Sequence, residues 1–488
     1  MRREARPLAS IYDFIVTVPG IMLPQFPATG LTIDLTLEID PSSLSTASGA
    51  FEGSVTVREV KAGGVSRPFT AVSPLVVTGL ASGADWSIES LGPIHVGDAS
   101  TGFTQMFLSL SGQLSPDGRR IEGIALVTSS GETGTFEAVK QRRYLVASTD
   151  FGVTGTVSLI RVRFDTIFTV ERDLEAVSGD PVARSSGGGV YVINRFTFDN
   201  IQSLDPASGF TTAVQFSTGN GSNPHDAIQV DPNRLYISRY EPPYNDLLIA
   251  ASATGATLGF IELASLATNA SGTPRADGMV MTQGLVFVGL QNVDASFVEY
   301  GAGRVAIVDP ADDALVASIT LEGRNPFGPP AVHPDSGDLY YAMAGVFQGS
   351  LPRELSGGIE VVDPRSLTTR GLLVDDDDLG GNVSGVALAS ARGADQGYCV
   401  VTDPSGVNLV RGFDSRTGAV RAGAVYQSAS FLPEVVSDGD GYILVPEHDI
   451  NDPRLIVLDA ATGRPLTSVR LSLPPFSIAV LTRGFLRN

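Results

Sequence analysis

The chain has 488 residues, of which 33 are basic and 53 are acidic, so its formal net charge is −20. This acidic balance disfavours binding to nucleic acids and to anionic membrane surfaces, because both require a concentrated cationic surface. The only cysteine, Cys399, excludes an intrachain disulfide and a cysteine-rich zinc site, and its apolar neighbours predict a buried, inert thiol.

The amino terminus begins with the basic segment MRREAR, which is how a signal peptide starts. Asp13 and Pro19 interrupt the segment that follows, and no lipidation cysteine is present. The sequence as written therefore predicts no export signal. It also predicts no transmembrane helix, since no stretch approaches the ~18 uninterrupted apolar residues that such a helix needs.

Residues 1–138 alternate between apolar and polar residues, as in LTIDLTLE at 31–38, and predict about eight strands. Turn residues at 116–118 and 129–131 predict hairpins. We therefore expect a small antiparallel β-barrel or sandwich, with lipocalin-like closure as one alternative. Trp86, the only tryptophan, is expected in its core rather than on a ligand platform.

Residues 139–488 carry an internal repeat, a strand that ends in Asp and is followed by a short turn, often closed by Gly. The clear copies end at Asp205, Asp309, Asp363, Asp414 and Asp459, and degenerate copies lie at Arg161 and Ala251. Successive copies are 44 to 58 residues apart. About four short strands in each such period indicate a propeller, so seven copies predict seven blades in an all-β protein.

Ring closure can also be predicted. The strand at 144–148 has no convincing inner partner before it, whereas the strand at 476–481 is left over after the last blade. We expect this final strand to complete the first blade, which removes an open sheet edge that would otherwise invite aggregation.

Tyr191-Val192-Ile193-Asn194 nearly spells the motif that names the YVTN β-propeller repeat family, and related words occur at 236–239 and 400–403. The segments DNIQSLDP at 199–206 and GSNPHD at 221–226 also resemble bacterial surface or periplasmic lipoproteins of this type. The resemblance covers about 140–488. It implies a WD40-like propeller in an extracytoplasmic protein, and most such proteins have no assigned reaction.

The loops predicted after the second and fourth strands of each blade are long and share one face, because neighbouring strands are antiparallel. They include 240–246, 291–303, 344–357, 374–381 and 447–453. Binding residues tend to lie on long loops carried by a rigid scaffold, so we expect the functional site on this face, around the mouth of the channel.

Several polar residues are predicted at this channel mouth as ligand-binding candidates: Asp180, Arg195, His225, Asp226, Arg239, Asp277, Glu434 and His448. Asp226 and Asp277 could hold Ca²⁺ or another divalent cation, since carboxylates suit such ions. Alternatively, the acids bond to backbone N–H groups of adjacent blades or pair with the arginines. The two arginines could clamp an anionic ligand, or they could form loop ion pairs.

Two further features are expected to be structural. His333 is predicted on the opposite, short-turn face in contact with solvent. The acidic run Asp375–Asp378 has no calcium-loop spacing and is expected to be a solvated loop. His448 is the better catalytic candidate among the histidines, although an exposed histidine without a role is the simpler reading.

No complete catalytic motif is present. The sequence therefore favours a non-catalytic, exported binding or scaffold propeller that engages a protein, glycan or small ligand through its long-loop face. The alternative is a metal-dependent, lactonase-like hydrolase that uses Asp226, Asp277 or Glu434 as ligands or base. A quinone-linked or electron-transfer propeller is disfavoured by the few His and Cys residues.

Overall fold

The computed structural model describes residues 11–23, 26, 29–39, 50–71, 75–82, 84–115, 119–346, 355–389 and 395–481. The basic segment at 1–6, the turn at 116–118 and part of the loop at 344–357 lie outside these residues. The chain forms two compact units. One comprises the described residues up to Arg143 together with Arg161–Thr169 and Leu481, and the other comprises Tyr144–Ile160 and the described residues of Val170–Val480.

The first unit is built on eight long antiparallel strands that form a closed β-barrel. They are β1 (Ile11–Met22), β2 (Thr29–Ile39), β3 (Ala50–Ala62), β4 (Leu75–Ser82), β5 (Asp85–Asp98), β6 (Gly102–Leu114), β7 (Arg120–Val127) and β8 (Thr133–Lys140). Two short strands, Val65–Ser66 and Phe69–Ala71, lie between β3 and β4. The sheet closes because β1 pairs with β8 while β2 pairs with β3. Of the predicted alternatives, the barrel is therefore confirmed.

The barrel core follows from the two-residue alternation of its strands, which sends every second side chain inward. Trp86 is 2 % exposed, and its ring lies 5.5 Å from that of Phe14 and 6.0 Å from that of Phe51. The expectation that this tryptophan belongs to the core is confirmed.

The second unit contains seven four-stranded antiparallel sheets, the blades of a β-propeller. From inner to outer strand, blade 1 contains Pro475–Val480, Arg142–Ser148, Thr154–Arg163 and Ile167–Ser178. Blade 2 contains Pro181–Ser186, Gly189–Asn194, Asn200–Asp205 and Thr211–Ser217. Blade 3 contains Pro224–Asp231, Arg234–Arg239, Asp246–Ala251 and Thr257–Glu262. Blade 4 contains Ala276–Thr282, Leu285–Leu290, Arg304–Asp309 and Ala314–Thr320.

The remaining blades follow the same order. Blade 5 contains Ala331–Val332, Leu339–Met343, Gly358–Asp363 and Thr368–Asp375. Blade 6 contains Asn382–Leu388, Gln396–Thr402, Asn408–Asp414 and Val420–Ser428, and blade 7 contains Val436–Ser437, Tyr442–Glu447, Arg454–Asp459 and Pro465–Arg470. Short helices at Pro206–Ser208, Ala264–Leu266 and Asp376–Leu379 lie in the connections. Both the seven-bladed propeller and the all-β class are confirmed.

The repeated Asp at the end of the third strand stabilises the turn that follows it. Its carboxylate accepts a hydrogen bond from a backbone N–H in the turn that follows, for example from Ala207 to Asp205 at 2.9 Å and from Ala311 to Asp309 at 2.8 Å. Asp363, Asp414 and Asp459 do the same. The repeat is therefore a turn signal, and its aspartates lie on the face opposite the long loops.

The last described strand closes the ring as predicted. Pro475–Val480 pairs antiparallel with Arg142–Ser148, with Val146 opposite Ile478. Cys399 is fully buried in blade 6, and burial raises the pKa of its thiol to about 12, so the predicted inert thiol is what the structure contains.

The prediction that His333 is solvated was wrong, whereas in the acidic run Asp375–Asp378, which enters a short helix rather than a loop, only Asp376 is buried. Asp375 caps a four-residue helix, Asp376–Leu379, and Asp376 is only 1 % exposed, so burial raises the pKa of its carboxyl to about 6. His333 is 8 % exposed, because its ring nitrogen Nδ1 accepts hydrogen bonds from the backbone N–H groups of Asp335 and Ser336. Both side chains accept hydrogen bonds from backbone N–H groups, His333 from its own turn and Asp376 from Gly357 at 3.0 Å.

The pairing of the final strand makes a prediction about stability. Deleting residues 475–488 should expose the edge of the strand at Arg142–Ser148 and remove the buried side chain of Ile478. We expect a lower melting temperature and concentration-dependent association, measured by thermal unfolding and size-exclusion chromatography. A matched chain that ends after Leu481 keeps the strand and should behave like the full protein. Equal melting of the two truncated chains would contradict this role.

Candidate functional site

The long connections lie on one face of the propeller. Segments 149–153, 195–199, 240–245, 291–303 and 448–453 link second to third strands, and segments 218–223, 263–275, 321–330 and 429–435 lead from one blade to the next inner strand. Because the strands of each blade are antiparallel, these two sets of loops emerge on the same side. We call this side the long-loop face.

Asp226 links two neighbouring blades at the start of the inner strand of blade 3. Its Oδ1 accepts a hydrogen bond from Nε of Arg184, on the inner strand of blade 2, at 2.7 Å. Its Oδ2 accepts one from the backbone N–H of Met279, on the inner strand of blade 4, also at 2.7 Å. The carboxylate is 1 % exposed, so both of its oxygens serve the packing of adjacent blades.

Asp277 holds His225 in a similar arrangement. Oδ1 of Asp277 lies 2.7 Å from Nδ1 of His225, and Oδ2 accepts hydrogen bonds from Nε2 of Gln291 at 2.7 Å and from the backbone N–H of Gly328 at 2.8 Å. Burial opposes ionisation of this carboxyl, but these hydrogen bonds outweigh it and lower its pKa. The imidazole of His225 stacks on Tyr240 with ring centroids 3.8 Å apart, which fixes the plane of its ring.

Glu434 occupies the equivalent position before blade 7. Its Oε1 accepts a hydrogen bond from the backbone N–H of Ile478, in the strand that closes blade 1. Burial raises the pKa of this carboxyl to about 7, although the charge of Arg184 acts in the opposite direction. Glu434 therefore titrates near neutral pH, at the seam where the ring closes.

Arg184 is the cation shared by these acids, and it was missed from the sequence. Burial works against the positive charge of its guanidinium, but Asp226, Glu434 and Asp277 together raise its pKa. The signal that could have revealed it is a charged residue within the otherwise apolar start of an inner strand, Pro181-Val182-Ala183.

The other predicted polar residues are also engaged by protein groups. Nη2 of Arg195 pairs with the carboxylate of Asp180, and its guanidinium lies 5.3 Å from the ring centroid of Phe476. Arg239 is 7 % exposed and forms a two-point ion pair with Asp246, with Nε to Oδ1 at 2.7 Å. The arginines thus form separate loop ion pairs, and the anion clamp stays a prediction.

His448 belongs to an aromatic cluster near the ring closure. Its imidazole stacks on Phe151 with centroids 4.6 Å apart and lies 6.2 Å from Phe476 and 6.3 Å from Phe431. Burial lowers the pKa of His448, which favours its neutral form. The ring is suited to apolar contact with a ligand.

The carboxylates of the predicted metal site are already bonded to groups of the protein. Every oxygen of Asp226 and Asp277 accepts at least one hydrogen bond or ion pair from the protein. Among the described residues, no group of three or more His, Cys, Asp or Glu side chains is arranged to hold a metal ion. A divalent cation at Asp226 and Asp277 therefore stays a prediction that would require these donors to be released.

Exposed phenylalanines concentrate on the long-loop face, a feature that the sequence reasoning missed. Of the seven that are exposed in the described part of the propeller, six lie on its loops: Phe151, Phe196, Phe198, Phe297, Phe327 and Phe431. The seventh, Phe260, lies on the outer strand of blade 3. Phe196 is 67 % exposed, whereas aromatic rings are normally buried. Of the six on the loops, only Phe297 lies in a loop that was predicted to be long, so most of this cluster carried no signal in the sequence.

Comparisons with known proteins agree on the fold. No family model matches the chain, and no curated protein matches its sequence. A candidate 6-phosphogluconolactonase from Bacteroides uniformis ATCC 8492 has a TM-score of 0.50 at 13 % identity, over 70 % of this chain and 99 % of that one. Another, from Bacteroides fragilis NCTC 9343, has a TM-score of 0.49 at 14 % identity, over 70 % of this chain and 98 % of that one. At such identities the likeness shows a β-propeller and nothing more specific.

Within the described residues, none of the helices reaches the length and apolar character needed to cross a bilayer.

The inter-blade role of Asp226 can be tested directly. Asp226→Ala should leave the guanidinium of Arg184 and the N–H of Met279 without their acceptor, which we expect to cost about 2–4 kcal/mol of unfolding free energy. Urea unfolding measures this loss. The exposed Asp335, on the opposite face, offers the control Asp335→Ala, which should change stability by less than about 0.5 kcal/mol. Equal stability of both variants would contradict the proposed role of Asp226 in linking adjacent blades.

Glu434 predicts a pH dependence. An unfolded glutamate loses its proton near its ordinary pKa of 4.5, whereas the folded one keeps it to about pH 7. The native state therefore loses stability as pH rises through this window, by an amount on the order of 3 kcal/mol. Glu434→Gln keeps the acceptor oxygen but cannot ionise, so it should match the wild type near pH 4.5 and exceed it at pH 8.

The measurement is the unfolding free energy at both pH values. The exposed Glu262 on the outer strand of blade 3 provides the control Glu262→Gln, which should follow the wild type throughout. If Glu434→Gln also follows the wild type at pH 8, the raised pKa is refuted.

Proposed function

We propose that the protein is a non-catalytic binding propeller that engages a protein, a glycan or a small ligand through its long-loop face. The observation that carries this proposal is the clustering on that face of six of the seven phenylalanines that are exposed in the described part of the propeller. Exposed aromatic side chains are the groups that most often dominate binding energy when a ligand covers them. The aliphatic side chains of Val153, Val298 and Ile450, also exposed on these loops, extend the same apolar surface.

The polar residues of the channel mouth support a binding role more than a catalytic one. The carboxylates of Asp226 and Asp277 are committed to neighbouring blades, and Asp180 and Asp246 are committed to arginines. They therefore provide a rigid frame that fixes the positions of the loops. Rigid scaffolds with long loops lose little entropy when a ligand binds.

A surface or periplasmic location belongs to the same proposal. Its support is the resemblance of the repeat motifs to the YVTN-type propellers, whose known members are typically exported.

The alternative function is a metal-dependent hydrolase with Asp226 and Asp277 as ligands. Its support is the convergence of His225, both aspartates and Glu434 around the charge of Arg184. Titration with Ca²⁺ discriminates between the two functions. A hydrolase of this kind should melt at a higher temperature in millimolar Ca²⁺ and lose the gain in Asp226→Asn, whereas the binding propeller should melt at the same temperature with and without the ion.

The binding face makes a prediction that can be checked without a known partner. The immobilised protein is screened against a random dodecapeptide phage library and a glycan array, and the best ligand is titrated against variants. The combined change Phe196→Ala, Phe198→Ala and Phe431→Ala should weaken binding about tenfold or more, because truncating aromatic anchors typically costs over ~1 kcal/mol each. Isothermal titration calorimetry measures the loss.

Leu466→Ala is the matched control, since Leu466 is 53 % exposed on the outer strand of blade 7, away from the long-loop face. It should leave the affinity unchanged. Full affinity in the triple variant would refute the long-loop face as the binding surface.

A further inference from the structure

A cleft of about 400 Å³ opens on the long-loop face where blades 2 and 3 meet. The loop at 195–199, after the second strand of blade 2, forms one wall, and the loop at 218–223, which leads into blade 3, forms another. Glu241, on the next long loop, completes the lining. The volume lies within the roughly 300–1,000 Å³ of small-ligand pockets, so the cleft can hold a small molecule.

The cleft presents polar groups that no other described residue satisfies. The side-chain amide of Asn220 and the hydroxyl of Thr197 form no hydrogen bond within the described part of the chain. Oε2 of Glu241 lies 2.9 Å from Nη1 of Arg275, which leaves Oε1 to accept from a ligand. Beside these groups stands the ring of Phe196, 67 % exposed. The lining therefore combines hydrogen-bond donors, acceptors and an aromatic surface.

The walls of the cleft are held in a strained but fixed conformation. Thr197 has a φ of +73°, which is unusual for a β-branched residue, and Asp199 and Asn223 also have positive φ, at +48° and +44°. The carboxylate of Asp199 holds the two walls together, because it accepts hydrogen bonds from the N–H groups of Gly221 at 2.8 Å and Asn223 at 2.7 Å. Strained backbone that the surrounding structure enforces is concentrated at ligand sites.

The charges of the lining indicate the class of ligand. Its charged side chains are Asp199 and Glu241, and the guanidinium of Arg275 that pairs with Glu241 is fully buried, so no free cation in the lining can bind a phosphate, a carboxylate or another anion. A purely apolar ligand is disfavoured by the free amide and hydroxyl, which would lose their hydrogen bonds to water. A sugar ring satisfies both conditions, because its hydroxyls bond to amides and carboxylates while its C–H face packs on an aromatic ring.

We propose that this cleft binds a neutral sugar ring, as the terminal or internal unit of a glycan. The inference rests on the proposed binding function and narrows it to a ligand class and a place on the long-loop face. Asn220 would bond to sugar hydroxyls, Glu241 would accept a hydrogen bond through Oε1, and Phe196 would cover one face of the ring.

The test uses the full chain and defined sugars. Cellobiose, maltose and lactose are titrated by saturation-transfer NMR and calorimetry, with glucuronate and glucose 6-phosphate as charged comparators. We expect at least one neutral disaccharide to bind and both charged sugars to bind more weakly. Asn220→Ala removes an exposed side chain that bonds to no described residue, so it should fold normally and weaken binding about fivefold.

Phe196→Ala should weaken binding similarly, whereas Leu466→Ala should not change it. The inference is overturned if no neutral disaccharide binds at 50 mM (roughly the weakest range that such titrations resolve), if a charged sugar binds more tightly, or if Asn220→Ala and Phe196→Ala both keep full affinity. If no neutral disaccharide binds but a ligand from the screen loses affinity in the triple variant of Phe196, Phe198 and Phe431, the sugar cleft is refuted and the binding face stays in place. If that ligand also keeps full affinity in the triple variant, both are refuted.

Discussion

Everything in the propeller depends on the closure of a ring of sheets by a strand from the far end of the chain. Pro475–Val480 supplies the inner strand of the blade whose other strands begin at Arg142. This pairing removes the free sheet edge and fixes the first and last blades against each other. Glu434 adds a second contact at the same seam, from its carboxylate to the N–H of Ile478. A closed ring is rigid, and rigidity is what allows the loops on one face to form a defined surface.

The same constraint explains why acidic residues gather at the channel mouth. Inner strands of adjacent blades converge there, and each strand leaves backbone N–H groups that its own sheet does not satisfy. Asp226 and Asp277 accept from such groups on the next blade, at Met279 and Gly328. A buried N–H without an acceptor is costly, so carboxylates at this position stabilise the ring before they serve any ligand. Their presence at a cavity mouth is therefore weak evidence for catalysis.

The sequence was informative where the signal was local or periodic. The turn aspartates repeat because each one caps its own turn, so the blade count and the closing strand could both be predicted. The closure of the barrel could not, since the pairing of its first strand, β1, with its last, β8, depends on the size and twist of the whole sheet. The candidate acids were predicted at the correct end of their strands. Their hydrogen-bond partners lie on other blades, so the sequence pattern could not identify them. The burial of Asp376 could not be predicted either, because it depends on the backbone that packs around this residue in the folded chain.

The exposed aromatic residues could be identified as candidate binding residues only from the fold. As letters in the sequence, Phe151, Phe196 and Phe431 look like ordinary core residues, and only the fold reveals that they stand on exposed loops of one face. The ring of blades holds the polar groups of the channel mouth with its own donors and acceptors. The groups that remain available to a ligand are therefore those of the loops. An aromatic ring beside a free amide and a free hydroxyl, with the nearby guanidinium of Arg275 already paired with Glu241, selects for neutral ligands rich in hydroxyls. The net charge of −20 acts in the same direction, because an acidic protein repels anions.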